Sequence, residues 1–339
     1  MDMQLSNIYS DLTLRPASTA EEEAKNFVKF LFSSQPYSSR LVSRRARKAL
    51  LYKRDPELLL AIQNELQELS KRAVQSTEDV ALANLVIGRI LALYPFLEPT
   101  TALEVPVRIN EKWEIVTYAL ERLELSWLSL GSPLTAFGLT APSFPSLLLL
   151  MGTPPPTISG TLLSVWTDFV PGGAVGELAF SLFAKKRIKA WLDKQSAPVM
   201  LYGQSLGAAL ALHTVCAFDE KIDSVHAYCS PALHRRSLSR FTGHAKVKIY
   251  WHKGDIVPLV GRGFHPLWKM VFIASAERQT PFFAHIRVVP ALSPFSIEEK
   301  MPSRALWPLW TFAHFLLSIP IFCTTTIILL VRAFVKSWR

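Results

Sequence analysis

The sequence predicts an α/β protein: a mostly parallel central sheet covered by helices, with a helical module before it and an apolar segment after it. Three observations predict this. Helical periodicity fills residues 19 to 95, strand-like and helix-like runs alternate from about residue 98, and no charged side chain occurs between Ala305 and Val331. The boundaries that follow are 1–97 for the helical module, 98–300 for the α/β domain and 301–339 for the apolar tail.

The helical module opens with "STAEEEAKNFVKFLF", where Ser18 or Thr19 caps the helix and glutamates occupy the first turn, favoured there by the helix dipole. "DPELLLAIQNELQELSKRA" starts at Asp55 with Pro56 at the first helical position, and its apolar residues recur at helical spacing. In "STEDVALANLVIGRILALY" Ser76 and Asp79 stand at capping-box spacing. The basic stretch "RLVSRRARKALLYKR" reads either as a solvated helix face or as a contact for acidic lipid headgroups. No cluster of chemically reactive residues stands out in the module.

From Glu104 the texture becomes strand-like. "KWEIVTYALERLEL" mixes β-branched and aromatic residues, and "SLLLLMGT" is a short apolar run suited to a strand buried on both faces. "PVMLY" precedes a helix that begins near Ser205, and "SVHAYC", "KVKIYW" and "WKMVFIA" continue the series.

Half of the 339 residues are hydrophobic, only 19% are charged, and mean hydropathy is +0.22. The formal charge of +10 suits an anionic membrane surface; with no nucleic-acid-binding signature beside it, nucleic acid is not an expected partner. Three scattered cysteines are too few for a disulfide framework or a zinc site and read as thiols in a reducing compartment. The first sixteen residues carry acids and no long apolar core, unlike a secretory signal.

The run from Ala305 to Val331 is long enough, at ~1.5 Å per residue, to cross a ~30 Å hydrocarbon core. Trp307, Trp310 and Trp338 flank it like an interfacial aromatic belt. Pro308, Pro320, His314 and four threonines dilute it, so a buried helix or helical hairpin is the alternative. A single C-terminal span inserted after synthesis leaves the rest of the chain on the cytoplasmic side of its membrane.

Within "LYGQSLGAALALH", a serine sits between two glycines, after an apolar strand and before an Ala-rich helix. This is the pattern of a nucleophile elbow, in which the serine occupies a strained strand-to-helix turn. Bulk at Gly203 or Gly207 would collide with that turn, and Ala208 and Ala209 let the helix pack close to the sheet. A serine hydroxyl is a poor nucleophile alone; it needs a base, and the base an orienting acid, in the chain order Ser, Asp, His.

From about Thr135 to Val289 the sequence resembles the class 3 (fungal-type) lipases of the α/β-hydrolase fold in several stretches. "TAFGLTAPSFPSLLLLMGT" is similar to the family's strand pair, with Met151 where arginine is usual. "SVWTDFVP" resembles its tryptophan–aspartate segment near the lid, and "GQSLGAALA" its elbow, with Gln204 where histidine is commonest. "YCSPAL" is similar to its Phe-Gly-Ser-Pro strand end, and "HKGDIVPLV" to its Asp-x-Val-Pro loop. The resemblance implies Ser205 as nucleophile, Asp255 as the orienting acid, and the Thr153 and Leu206 amides as the oxyanion hole. His265, His285 and His314 follow Asp255. His265 resembles a non-catalytic histidine of the family, and His314 lies in the apolar tail. His285 follows the last strand through a loop, which suits the base, although "IRVVP" after it departs from the family's pattern. Residues 154–173 resemble a lid, with Leu162, Leu163 and Trp166 facing lipid when open, or form a plain surface loop.

These features predict a membrane-anchored serine hydrolase that cleaves carboxylic ester bonds of lipids without metal or organic cofactor. The alternative is a hydrolase fold that has lost catalysis and serves as a membrane-tethered scaffold or effector.

Overall fold

The computed structural model describes residues 19–32, 43–52, 54–75, 79–126, 134–153, 161–275, 285, 295–302 and 307–337. Four helices come first: α1 (Ala20–Phe32), α2 (Arg44–Tyr52), α3 (Pro56–Gln75) and α4 (Val80–Leu97). Thr19 caps α1: its hydroxyl accepts the Glu22 amide at 3.2 Å and its own amide donates to the Glu22 carboxylate. Asp79 caps α4 by accepting the Ala81 and Leu82 amides. Ser76, the other half of the expected capping box, lies outside the described residues.

Among the described residues, nine strands then lie side by side in chain order in one sheet. They are β1 (Leu103–Ile109), β2 (Lys112–Glu124), β3 (Thr135–Thr140), β4 (Leu147–Leu150), β5 (Val199–Gln204), β6 (Ile222–Tyr228), β7 (Lys246–His252), β8 (Lys269–Ser275) and β9 (Phe295–Glu299). Strands β4 to β8 pair in parallel. The first four strands pair antiparallel, as do β8 and β9. The sheet is therefore mixed, which corrects the expectation of a mostly parallel one. The cause is loop length: Asn110 and Glu111, both with positive φ, turn β1 straight into β2. A two-residue hairpin leaves no room for a crossover helix.

Among the described residues, further helices are α5 (Thr161–Asp168), α6 (Lys185–Leu192, entered through a π-helical turn at Ala179–Ala184), α7 (Leu206–Phe218), α8 (Arg235–Leu238) and α9 (Trp307–Ser337). The run Leu147–Leu150 shows why β4 is wholly apolar. Leu147 and Leu149 face the core shared with α1, α3 and α4, while Leu148 and Leu150 face α5, α6 and α7. Successive side chains point to opposite faces, and both faces are covered. On α3, Leu58, Ile62, Leu66 and Leu69 are buried at helical spacing, each contributing roughly 1.5–3 kcal/mol. The N-terminal helices and the sheet thus share one core.

Among the described residues, two helices are long and apolar enough to cross a membrane, and burial separates them. Of the qualifying window in α4, 72% is buried inside the protein, as in a core helix; in α9, over Pro308–Val331, the share is 17% at a mean hydropathy of 2.1.

Candidate active site

Ser205 stands on the turn between β5 and α7 with φ 56° and ψ −122°, a conformation that costs a non-glycine residue roughly 1–3 kcal/mol. The surroundings enforce it. The Ser205 amide donates to the Tyr228 carbonyl at 3.0 Å, and the Ser205 carbonyl accepts the Ala209 amide at 3.0 Å. A Cβ on Gly203 would lie 2.4 Å from the Gly207 backbone, and one on Gly207 would lie 2.1 Å from the Leu150 carbonyl oxygen. Both glycines are therefore required by close backbone approach, as their spacing around the serine predicts.

Asp255 and His285 converge on that turn. The His285 Nε2 lies 2.9 Å from the Ser205 Oγ, and its Nδ1 lies 3.2 and 3.3 Å from the two Asp255 carboxylate oxygens. With Nδ1–H donating to the carboxylate, Nε2 is left to accept the serine proton. Asp255 is buried just beyond the end of β7, in a turn closed by its own amide on the His252 carbonyl. Burial works against its charge, but the His285 contact, the Val257 amide at 3.0 Å and the Cys229 thiol outweigh it. The carboxyl is held below the ordinary aspartate range and stays ionised.

The other two candidate histidines are placed elsewhere. His265 packs edge-on against Phe241 and accepts the Leu267 amide on Nδ1 at 3.3 Å. His314 sits on α9 and stacks on Phe169.

Leu206 begins α7, so its amide belongs to the first turn, whose N–H groups lack intrahelical acceptors. Thr153 follows Gly152, where a Cβ would lie 2.5 Å from the Gln204 carbonyl oxygen. That close approach brings the end of β4 against the elbow. The Thr153 hydroxyl donates to the Asp168 carboxylate at the end of α5. The Asp168 carboxylate is enclosed: burial pushes its pKa up to about 7, against the pull of the Thr153 bond. Its second oxygen has no hydrogen-bond partner among the described residues. Of the expected lid, residues 154–160 and the Leu162 side chain lie outside the described residues; Leu163 is buried and Trp166 half-buried.

Three contributors were not singled out from the sequence. Gln204, noticed only as a departure from histidine, donates its amide to the His285 carbonyl at 3.0 Å and holds that backbone in place. Cys229, with φ 52°, directly follows the end of β6. Cys229, Asp255 and His285 bring ligand-capable atoms within 4.8 Å of one another. Burial first of all, and then Asp255, keep the thiol far above its ordinary pKa, so it is a protonated donor to the carboxylate. The third is Arg89 of α4, buried with its guanidinium 5.4 Å from the centre of the Tyr228 ring and within electrostatic reach of Asp255. Cys229 carried no sequence signal for its positive φ. Arg89 had none either, because an arginine inside an apolar helical pattern does not announce its partners.

Neither a protein-family model nor a curated protein matches this sequence. Among solved structures, a crystal structure of M37 lipase is similar at 12% identity over 71% of this chain and 69% of that one. The TM-score of 0.24 is too low for that likeness to carry an argument.

Proposed function

We propose that the chain is a serine hydrolase that cleaves carboxylic esters of lipids, held at a membrane by α9. The observation that carries the reading is His285, bonded through one ring nitrogen to Ser205 and through the other to Asp255. In this reading Ser205 Oγ attacks the ester carbonyl carbon while His285 Nε2 takes its proton, and Asp255 stabilises the imidazolium. The tetrahedral oxyanion receives the Leu206 and Thr153 amides. The C–O bond to the alcohol breaks as His285 returns the proton to the leaving oxygen. Water, deprotonated by His285, then attacks the acyl-enzyme and releases the acid and free Ser205.

The membrane half of the proposal rests on the length, hydropathy and exposure of α9. Met151, standing where the lipase pattern has arginine, favours the catalytically silent scaffold instead. Fluorophosphonate labelling separates the two. The hydrolase reading expects covalent labelling of the full-length protein and none of Ser205→Ala. An unlabelled but folded wild-type protein would leave the scaffold reading.

A further inference from the structure

Most polar residues of α9 gather on one side, with Thr324 an exposed exception. Thr311, His314, Ser318, Phe322, then Thr325 with Thr326, and Leu329 follow one another at intervals of three or four, which is one stripe of a helix. Ser318, Thr325 and Leu329 on this stripe are buried, whereas Leu316, Leu317, Ile319, Ile327 and Leu330 off it are exposed. A helix in hydrocarbon needs its polar groups turned toward protein and its apolar side chains toward lipid, and, Thr324 apart, α9 is divided that way.

What the stripe faces is α5. The Trp166 indole N–H donates to the Thr326 hydroxyl at 2.8 Å, while that hydroxyl donates in turn to the Phe322 carbonyl at 2.6 Å. The Trp166 ring also stacks on Phe322, with centroids 5.3 Å apart. One residue beyond the end of α5, Phe169 stacks on His314, and the His314 Nε2 donates to the Asp168 carbonyl at 3.1 Å. Trp166 meets the later turns of α9 and Asp168 an earlier one, so the two helices run antiparallel. Asp168 is held twice: its backbone carbonyl by α9, and its carboxylate by the Thr153 hydroxyl next to the elbow.

We propose that α9 is a positioning element of the active site as well as a membrane tether: its inner stripe clamps α5, and through Asp168 this clamp sets Thr153 beside Ser205. The proposal deepens the hydrolase reading and rests on it for its catalytic consequence. Its physical content is that α5 lies along the inner stripe of α9 between His314 and Thr326 while the outer, apolar face of α9 is left for lipid. The oxyanion site is therefore ordered only while α9 is docked.

The test uses the full chain reconstituted in phosphatidylcholine nanodiscs, with His314→Ala/Thr326→Val as the broken clamp and Thr326→Ser as the variant that keeps the hydroxyl. Backbone amide exchange is read separately for residues 161–169 and for β5 and β6. The broken clamp should raise exchange at least tenfold in residues 161–169, leave the strands as in wild type and resist carbonate extraction. Fluorophosphonate labelling of Ser205 should slow by roughly ten- to a hundredfold, short of the roughly hundred- to thousandfold cost of removing an oxyanion donor outright. Thr326→Ser should match wild type in every readout. Unchanged protection of residues 161–169 in the broken clamp overturns the coupling and leaves α9 a tether. So does loss of protection shared equally by β5 and β6, which would make α9 a general support. If wild type never labels while residues 161–169 still respond, the hydrolase reading fails and the clamp stands.

Discussion

Ser205 and His285 sit 2.9 Å apart and are held in opposite ways. Ser205 is fixed by backbone: a strained φ, glycines at both flanks and main-chain bonds to Tyr228 and Ala209 leave it nowhere else to go. His285 is fixed by contacts from distant residues, with Asp255 and Ser205 on its ring and Gln204 on its carbonyl. A proposed nucleophile built by local geometry should survive the loss of its neighbours, whereas a base held by side chains should be weakened by each substitution in its cradle.

The largest effect falls on the nucleophile itself. Ser205→Ala should lower turnover of a p-nitrophenyl ester by about four to six orders of magnitude with the melting temperature preserved, since only one oxygen is lost. Residual activity within a hundredfold of wild type would place the nucleophile elsewhere. Next comes the acid: Asp255→Asn should cost about three to four orders in kcat, because His285 then loses both its tautomer and the charge that stabilises its protonated form. Survival of a tenth of the activity would mean that Asp255 does not orient the base.

A third variant tests the strain stored beside the elbow. The Asp168 pKa is raised to about 7 in the folded protein, above its value in the unfolded chain. Its stabilising contribution is therefore present at low pH and is lost as pH rises toward 7. Asp168→Asn, which keeps an acceptor for Thr153, should melt higher than wild type. The advantage should grow from about pH 4 to 7, level off above that, and reach a few kcal/mol at most. Equal melting temperatures at pH 8 would contradict it. The smallest effect is that of Gln204→Ala. One lost hydrogen bond to the His285 carbonyl is about 1 kcal/mol, a five- to tenfold fall in kcat with KM little changed. An unchanged kcat would show that Asp255 and Ser205 hold the histidine unaided.

The same contrast explains what was legible in the sequence. Gly203, Ser205 and Gly207 could be read as a turn because the causes of their geometry lie within a few residues. Asp255 was readable for a similar reason, at a strand end beside Gly254. His285 had to be chosen among three histidines, since its partners stand 80 and 30 positions away. The helices of residues 20–97 were legible as helices. That Arg89 on α4 lies beneath Tyr228 and Asp255 was not, because helical periodicity does not say what a face will meet. The hairpin at Asn110–Glu111, which helps make the sheet mixed, was missed because no turn dipeptide was recognised there. In the tail, Thr311, His314 and Thr326 read as dilutions of an apolar run, and only their shared stripe gives them a surface to face.

Strand β9 ends at Glu299 and α9 begins at Trp307, so seven residues connect them. Fully extended, such a leash reaches no more than about 25–30 Å, and its far end is tied again where the Thr311 hydroxyl donates to the Gly261 carbonyl. With α9 across a bilayer, the sheet cannot swing out toward a facing membrane or a droplet in solution. On the proposed hydrolase reading, catalysis is then confined to two dimensions: the protein acts in cis, and its rate should follow the mole fraction of substrate in its own leaflet rather than the bulk concentration.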